Sequence, residues 1–592
     1  MASSSLIAGG GGGDGGDGGG GGGGGGGSLI TVDTSHGPIV GRRVAWRGRS
    51  VDEFLSVPYA APPTGANRWR PPQPLLPWAT PRNATVLPPA CPQHPPQSHV
   101  RVPAFPDQEP ESPWAEDCLF VNVYAPSAAM RSGSSQLPVL LWLYGGGWQE
   151  GDAAQPLYNG RNLTAANDVV LVVVNWRVNV FGFLGLAVLQ HEELRLSGQA
   201  TSGFYGQQDQ RAAMVWAREN VARFGGDPRK VTLWGQSAGA SSICYHLLMP
   251  RSAGLFQRAI VDSSCDEPSL SASARPIPTR APYGLAHAFG CADANLTCLR
   301  AIPAAALNAF VNVNYRASPN VAQKWFYPRW DASEFPPGST SMMQLWRRGQ
   351  FASRVPVIFG STVDEQGWEW CGYECRAGWP KPFNVTVSAD DYDRVFRAAL
   401  EGQCSEDVID ELVPLYALGT DQADSLPLAL AMLLTDASPK MGSCNGLNAD
   451  AATASKFGLR AFHYVLAARP AAQPSYVGAC HGTEQAFVFG NPRWMWWKEQ
   501  AFTAREAALS TEMQAAWVRF ADAGDPGSSS DPWPAWGEGG ANRTRVFDVG
   551  QRAAGKVVAD YNSARCGVWR RVNRTACSPN WMTVQKNVYA AL

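Results

Sequence analysis

The sequence predicts an α/β fold in which a large, mostly parallel, doubly wound central sheet is flanked by helices. Two uninterrupted apolar runs, at 139–144 and 169–174, have the length of strands that are covered on both faces. Apolar residues then recur at helical spacing over 206–224, and a third apolar run follows at 231–234. This strand–helix–strand order is typical of a parallel sheet, whose catalytic groups lie on loops at the carboxyl ends of the strands.

The third apolar run leads directly into Gly-Gln-Ser-Ala-Gly at 235–239, followed by small residues that can start a helix. Gly-x-Ser-x-Gly between a strand and a helix is the nucleophile elbow, a sharp turn that exposes the serine hydroxyl. A chain this rich in glycine gives roughly 0.4 matches by chance, so the interpretation depends on the flanking strand and helix. We therefore predict that Ser237 is a catalytic nucleophile.

A serine nucleophile needs a base, which in a nucleophile-elbow fold is a histidine that follows the serine and the acid in the chain. Of the eight histidines, four precede Ser237, His246 lies in the helix just after it, and His287 leaves little chain for the acid. His463 lies in a strand-like run, where a packed ring is the expected role. His481 lies in a loop with small neighbours, which leaves its ring room to reach a partner.

Further segments extend the pattern. Phe-Leu-Ser-Val-Pro-Tyr-Ala-Ala-Pro-Pro stands at 54–63, Arg-Trp-Arg-Pro-Pro at 68–72, Glu-Asp-Cys-Leu at 116–119 and Gly-Gly-Gly-Trp at 145–148. Together with the elbow they resemble the type-B carboxylesterase family, the cholinesterase-like branch of the α/β-hydrolases, over most of the chain. The resemblance implies an α/β-hydrolase fold and a serine carboxylesterase.

This resemblance also bounds the domains. We expect one catalytic domain over 29–592, because the similarity leaves no room for a second catalytic domain. Residues 1–28 are predicted to be a disordered tail, since 9–27 is glycine interrupted only by Asp14 and Asp17 and buries nothing.

The acid is expected after the strand-like run at 355–360. Asp364 and Glu365 both follow it. The resemblance implies that Glu365 is the acid and His481 the base, with Asp364 as the alternative acid. Gln366 follows Glu365 here, which departs from the Glu-Gly pair of the family.

The oxyanion site is expected in the Gly-Gly-Gly loop. Residues without side chains leave backbone N–H groups open to a developing oxyanion. Carried over from the family by position, Gly146 and Gly147 supply two donors and Ala238, directly after the nucleophile, supplies the third.

The cysteines predict a disulfide framework with at least one thiol left over, because their number, 13, is odd. The resemblance implies a Cys91–Cys118 bridge and a small loop closed by Cys291–Cys298. For the others we expect the pairs Cys371–Cys375, Cys404–Cys444 and Cys566–Cys577. Cys265 stands where the family often has serine.

The predicted reaction is hydrolysis of neutral carboxylic esters through an acyl-enzyme. Cholinesterases carry glutamate before the serine, whereas this chain has Gln236, and it lacks the choline-site tryptophan at its usual offset. We therefore expect weak activity on choline esters. Two alternatives stay open: an inactive binding or adhesion ectodomain, which would normally have lost a triad member, and a lipase acting on emulsified esters.

Charge and hydropathy exclude several other classes. The formal net charge is −1 and no long basic run occurs, so nucleic acid is not an expected partner. The apolar stretch at 169–189 is interrupted by Asn175, Arg177 and Asn179, so no transmembrane segment is predicted. The expected partner is a small-molecule ester, and no cofactor or metal is expected.

Cysteine content and glycosylation sequons bear on the cellular compartment of the protein. Thirteen cysteines favour an oxidising compartment, and so do six Asn-x-Ser/Thr sequons, at Asn83, Asn162, Asn295, Asn384, Asn542 and Asn573. The first eight residues are too short and too polar for a signal peptide. We expect a secreted or secretory-pathway glycoprotein whose printed start is mis-assigned, with a cytosolic enzyme as the alternative.

Overall fold

The computed structural model of the protein describes residues 27–93, 114–132, 136–265, 280–291, 295–317, 326–367, 383–419, 424–438, 442, 444, 446–492, 501–549, 556–572 and 576–592. The tail expected at 1–28 lies almost wholly outside these residues.

One sheet organises the described chain. Its strands run in the order β1-β2-β3-β5-β7-β6-β8-β9-β10-β11-β12-β13, with β4 beside β2. The strands are β1 (Ser28–Asp33), β2 (Pro38–Trp46), β3 (Arg49–Pro58), β4 (Arg82–Asn83), β5 (Phe120–Pro126), β6 (Leu137–Leu143), β7 (Val170–Val174), β8 (Gly226–Gln236), β9 (Arg258–Asp262), β10 (Val357–Thr362), β11 (Ala461–Leu466), β12 (Arg543–Phe547) and β13 (Lys556–Ala559).

The middle of this sheet is parallel and its edges are antiparallel. Every pair from β7 across to β12 is parallel, whereas the pairs from β1 through β2, β3 and β5 to β7 are antiparallel, as is the pair of β12 with β13. The short strand β4 is parallel to β2. The predicted fold class, a large and mostly parallel sheet with flanking helices, is confirmed.

The α-helices flank the sheet, and most of them lie between successive strands in the order of the chain. They are α1 (Ser127–Ser132), α2 (Arg161–Ala166), α3 (Asn179–Phe183), α4 (Ala187–Ser197), α5 (Tyr205–Asn220), α6 (Ala238–Leu248), α7 (Arg280–Ala288), α8 (Leu296–Ala301), α9 (Ala304–Ala317), α10 (Met342–Arg347), α11 (Ala389–Leu400), α12 (Glu406–Leu412), α13 (Leu426–Ala437), α14 (Leu447–Lys456), α15 (Thr483–Phe489), α16 (Ala504–Ala523), α17 (Ser563–Arg571) and α18 (Trp581–Ala591). Short 3₁₀ turns lie at Gly65–Asn67, Pro156–Tyr158, Val221–Phe224, Pro250–Ser252, Val413–Leu415 and Glu538–Gly540.

The apolar runs of the sequence form the centre of the core. All five residues of β7 are fully buried, and so are Leu140, Leu141 and Trp142 of β6. These strands carry no polar alternation because helices cover both faces of the parallel region. Trp142, Trp234 and Phe489 pack ring against ring below the end of β8, which gives the serine turn a rigid support.

Disulfides tie together distant parts of the chain. The structure forms Cys91–Cys118 and Cys291–Cys298, the two bridges that the resemblance implied. The expected pairs Cys404–Cys444 and Cys566–Cys577 are wrong, since Cys404 is bonded to Cys577 and Cys444 to Cys566. These bridges are nested in the chain and fasten the C-terminal helices to a second apolar cluster around α11 and α13.

Three further cysteines of the described residues were not assigned a pairing from the sequence. Cys244 is bonded to Cys265, a pair that the sequence analysis did not foresee. Cys480 is the free cysteine of the described residues and is buried. The expected pair Cys371–Cys375 lies outside the described residues.

None of the helices within the described ranges is both long and apolar enough to cross a membrane.

Candidate active site

The serine turn joins β8 to α6. Ser237 caps α6 with φ 55° and ψ −121°, a left-handed conformation that is strained for a residue with a side chain. Its N–H donates a 2.9 Å hydrogen bond to the carbonyl of Asp262, at the end of the neighbouring strand β9. The backbone therefore holds the serine at the carboxyl edge of the sheet in a pose that it would not adopt alone.

The glycines of the turn are required by close packing. A Cβ on Gly239 would lie 2.0 Å from the carbonyl oxygen of Leu143, at the end of β6. A Cβ on Gly145 would lie 2.6 Å from Oε1 of Gln236 and 3.0 Å from Cβ of Ser237. Because glycine has no side chain, the serine turn can pack directly against the backbone at the end of β6 and against the loop that follows it.

The Gly-Gly-Gly loop follows β6 and passes beside the serine turn. Gly146 and Gly147 have φ of 106° and 61° and are partly exposed. Neither backbone N–H donates a hydrogen bond to any residue that the structure describes. Ala238 is the first residue of α6, where backbone N–H groups have no partner within the helix. All three predicted oxyanion donors thus belong to the segments that meet at Ser237.

The predicted base and acid are in contact. Nδ1 of His481 lies 2.5 Å from Oε2 of Glu365, whose side chain is fully buried. The other carboxylate oxygen, Oε1, accepts a 2.8 Å hydrogen bond from the N–H of Thr362, and the N–H of His481 donates to the carbonyl of Glu365 at 3.2 Å. The hydrogen bond from Thr362 holds the carboxylate of Glu365 in place. Because this carboxylate accepts at Nδ1, it favours the tautomer of His481 that carries its proton on Nδ1.

The alternative acid has a different partner. Asp364 accepts from Nε of Arg469 at 2.9 Å and from the N–H of Ala479 at 2.8 Å, so its carboxylate supports the loop that carries the histidine. The N–H of Gln366 donates to Oγ1 of Thr435 at 3.3 Å. The glutamine that departs from the family pattern is therefore accommodated without displacing Glu365 from the imidazole.

Gln236 contacts the other side of the imidazole. Its side-chain Nε2 lies 3.0 Å from Nε2 of His481. Because the Nδ1–H faces a carboxylate, Nε2 of the neutral ring is an acceptor, and the glutamine amide donates to it. From the sequence, Gln236 was notable only because it replaces the negatively charged glutamate of cholinesterases, and its contact with His481 was not predicted.

His463, the other late histidine, lies inside the sheet. It is fully buried in β11, where Nδ1 pairs with Oγ1 of Thr544 at 3.1 Å and the ring packs against Trp536. Burial lowers the pKa of His463 to about 3, so the ring is neutral and structural, as the strand-like sequence around it predicted.

Two further buried carboxyl groups lie near Glu365. Asp262 accepts from Nε1 of Trp234 at 2.6 Å and from the hydroxyl of Tyr464 at 2.8 Å. Burial, with a smaller contribution from the charge of Glu365, raises the pKa of Asp262 to about 7. Burial also raises the pKa of Glu484 well above its ordinary value, helped by Asp262 and Glu365. Sequence reasoning missed Asp262, although its place at the end of a central strand could have pointed to it.

A strained serine on a strand-to-helix turn of a parallel α/β sheet, whose preceding residue Gln236 contacts a carboxylate-bound imidazole, is the arrangement of a serine hydrolase. Comparison with known proteins gives the family. The profile of the Carboxylesterase family matches residues 28–569. The chain belongs to this carboxylesterase family and is a carboxylic ester hydrolase of the serine type.

Individual relatives and solved structures support the same family. A para-nitrobenzyl esterase of Bacillus subtilis (strain 168) is 30% identical over 510 residues, which cover 86% of this chain and 92% of that protein. A solved thermophilic PNB esterase is similar with a TM-score of 0.68 and 28% identity, covering 91% of this chain and 99% of that chain. A second solved PNB esterase gives a TM-score of 0.67 with the same identity and coverage.

Proposed function

We propose that this enzyme hydrolyses neutral carboxylic esters through an acyl-enzyme on Ser237, with His481 as the general base and Glu365 as the acid that orients it. The observation that carries the proposal is the 2.5 Å contact between Nδ1 of His481 and the buried carboxylate of Glu365, formed at the edge of the sheet where the strained serine turn also ends. Only His481 and Glu365, of the candidates considered, make this pairing.

In the first half of the reaction, the amide of Gln236 moves away from Nε2 of His481. This nitrogen then takes the hydroxyl proton of Ser237 as the serine oxygen attacks the ester carbonyl. The imidazole becomes positively charged, and Glu365 stabilises that charge while it keeps the ring in the required tautomer. Backbone N–H groups of Gly146, Gly147 and Ala238 stabilise the oxyanion. The imidazolium then gives its proton to the leaving alcohol.

In the second half, a water molecule replaces the alcohol. Nε2 of His481 removes a proton from the water as its oxygen attacks the acyl-enzyme, and a second oxyanion forms against the same N–H groups. Collapse of this intermediate returns the proton to Oγ of Ser237 and releases the carboxylic acid. The ester, one water molecule and groups of the chain balance the two halves.

A preference for neutral esters is supported by Gln236. Its amide is uncharged and its Nε2 is engaged 3.0 Å from the imidazole, so it offers no negative charge to a cationic alcohol group. The name of the bacterial relative makes para-nitrobenzyl esters the first substrates to try here. A choline ester that outcompetes a neutral ester of equal acyl length would contradict this preference.

The decisive experiment is covalent labelling with an organophosphate followed by peptide mapping. We expect the label on Ser237, and we expect Ser237→Ala to lose both labelling and ester turnover. Asp364→Asn tests the alternative acid. It should lose less turnover than Glu365→Gln, because Asp364 supports the loop of His481 whereas Glu365 contacts the imidazole itself. Full turnover by Ser237→Ala, or equal losses in the two carboxylate variants, would overturn the assignment. Higher activity on emulsified than on soluble esters would favour a lipase.

We also propose that the enzyme is made in the secretory pathway, with the cytosol as the alternative compartment. The five disulfides among the described residues support this proposal. Asn162 is a poor glycan acceptor, because Trp46 donates to its Oδ1 at 2.7 Å and its Nδ2 donates to the carbonyl of Gly490 at 2.7 Å. Endoglycosidase treatment of the protein from its own cells tests the other sequons, and an unshifted mass with thiols freely alkylated would place the enzyme in the cytosol.

A further inference from the structure

One face of α6 is attached to the last residue of β9 and to the residues directly after it by three successive contacts. At the start of the helix, the N–H of Ser237 donates to the carbonyl of Asp262 at 2.9 Å. One turn further, the hydroxyls of Ser241 and Ser264 are 2.7 Å apart. The remaining contact is covalent, the Cys244–Cys265 disulfide.

The spacing of these contacts follows helix geometry. Positions 237, 241 and 244 are separated by four and three residues, which places them on one face of a helix over about two turns. Their partners, at 262, 264 and 265, are nearly consecutive in the chain. Residues 262–265 therefore run along the helix axis, and Cys265, the last of them, is the one that is bonded covalently.

The segment is itself anchored to the sheet. Ser263 has φ 63° and its N–H donates to the carbonyl of Gly360 in β10 at 2.7 Å. A strained backbone of this kind persists only where surrounding contacts over-determine it. Cys244 and Cys265 are 0% and 3% exposed, so the bridge is enclosed by the core rather than placed on the surface.

We propose that Cys244 and Cys265 are positioning residues, whose disulfide holds the nucleophile helix in register with β9 so that Ser237 and the N–H of Ala238 stay aligned with the reacting carbonyl. The bridge touches neither substrate nor reacting atoms and acts through α6. The inference rests on the proposed function in so far as Ser237 is the nucleophile. It explains why cysteine stands at 265, where the resemblance leads one to expect serine.

The matched test compares two double variants. Cys244→Ala with Cys265→Ala removes the bridge on α6, and Cys291→Ala with Cys298→Ala removes a bridge between the end of α7 and α8. For the first we expect kcat on a neutral ester and the organophosphate labelling rate to fall together, by about tenfold or more, with KM changed less than about threefold. The control should keep kcat and labelling rate within about twofold of wild type.

The result that overturns the proposal is a folded Cys244→Ala, Cys265→Ala protein whose kcat and labelling rate equal those of the control. If that variant does not fold, Cys244→Ala with Cys265→Ser, which places at 265 the residue that the resemblance leads one to expect, is measured in its place. A tenfold or larger fall of kcat and labelling rate with little change in KM supports the proposal, and values within about twofold of the control overturn it. Ser237→Ala separates the two claims, since turnover by that variant defeats the proposed mechanism whatever the bridge does.

Discussion

The charge state of Asp262 yields a stability prediction that can be worked through from the structure. The carboxyl is fully buried and accepts from Trp234 and Tyr464. Burial raises its pKa from 3.8 to about 7, so the folded protein keeps a proton that the unfolded chain has already lost. Because the folded pKa is the higher one, this carboxyl costs stability increasingly as pH rises from about 4 to about 7, and the cost is constant above that range.

Asp262→Asn removes this titration while it keeps the shape of the side chain. Oδ1 of the asparagine can still accept from Trp234, which is only a donor, and its NH₂ can donate to the hydroxyl of Tyr464. With a folded pKa of about 7 against 3.8 unfolded, linkage gives a change on the order of 3 kcal/mol between pH 4.5 and pH 8. The stability of the variant relative to wild type should rise by that amount over the interval.

Denaturant unfolding followed by tryptophan fluorescence, without reductant, measures the difference at several pH values. Gly284→Ala, which involves no titratable group and meets nothing within 4 Å, is the control and should give a pH-independent difference. A stability difference for Asp262→Asn that stays constant to within about 1 kcal/mol from pH 4.5 to pH 8 would refute the reasoning, since it would mean that the carboxyl titrates alike in both states.

Two further substitutions test the site more directly. Gln236→Glu places a carboxylate where an amide now lies 3.0 Å from His481; because a negative charge favours the protonated ring, the acid limb of the kcat/KM profile should move to higher pH by roughly one to two pH units, and an unmoved limb would show that the contact is absent in solution. Gly239→Ala puts a Cβ 2.0 Å from the carbonyl oxygen of Leu143, so thermal unfolding should show a loss of about 1–3 kcal/mol or more together with lost turnover. Gly284→Ala, which meets nothing within 4 Å, is its control, and equal behaviour of the two would contradict the packing argument.

The central part of the fold could be predicted from sequence because its physics is local. Unbroken apolar runs give the strands of a parallel sheet, and the strand-to-helix step at Ser237 defines the turn. The antiparallel ends of the sheet were harder to predict from the sequence. The antiparallel pairs from β1 to β3 and the β12–β13 pair join strands that are consecutive in the chain. By contrast, β3 meets β5 across the long segment between residues 58 and 120, and no local periodicity records that pairing.

The candidate active site, like the fold, could be predicted from the sequence only in part. Chain order reduced the histidines to His463 and His481, and the choice between Asp364 and Glu365 came from a resemblance. What sequence could not supply is the direction in which each side chain points, which the fold sets through contacts such as Arg469 with Asp364.

The cysteines show this limit most clearly. Four cysteines, at 404, 444, 566 and 577, allow three pairings, and sequence gives no basis for choosing among them. The expected pairs joined cysteines closest in the chain, whereas the fold joins the outer two and the inner two. The Cys244–Cys265 bridge was missed because a helix residue and a post-strand residue meet only once the sheet has formed.

The two C-terminal bridges have a consequence for how the intact chain is recognised. A protease that cuts once between residues 444 and 566 leaves two fragments that both bridges still hold together. One fragment carries Ser237 and Glu365, and after a cut before position 481 the other carries the histidine. Such a nicked enzyme migrates as one band until it is reduced, so a single band on a non-reducing gel does not establish that the backbone is whole.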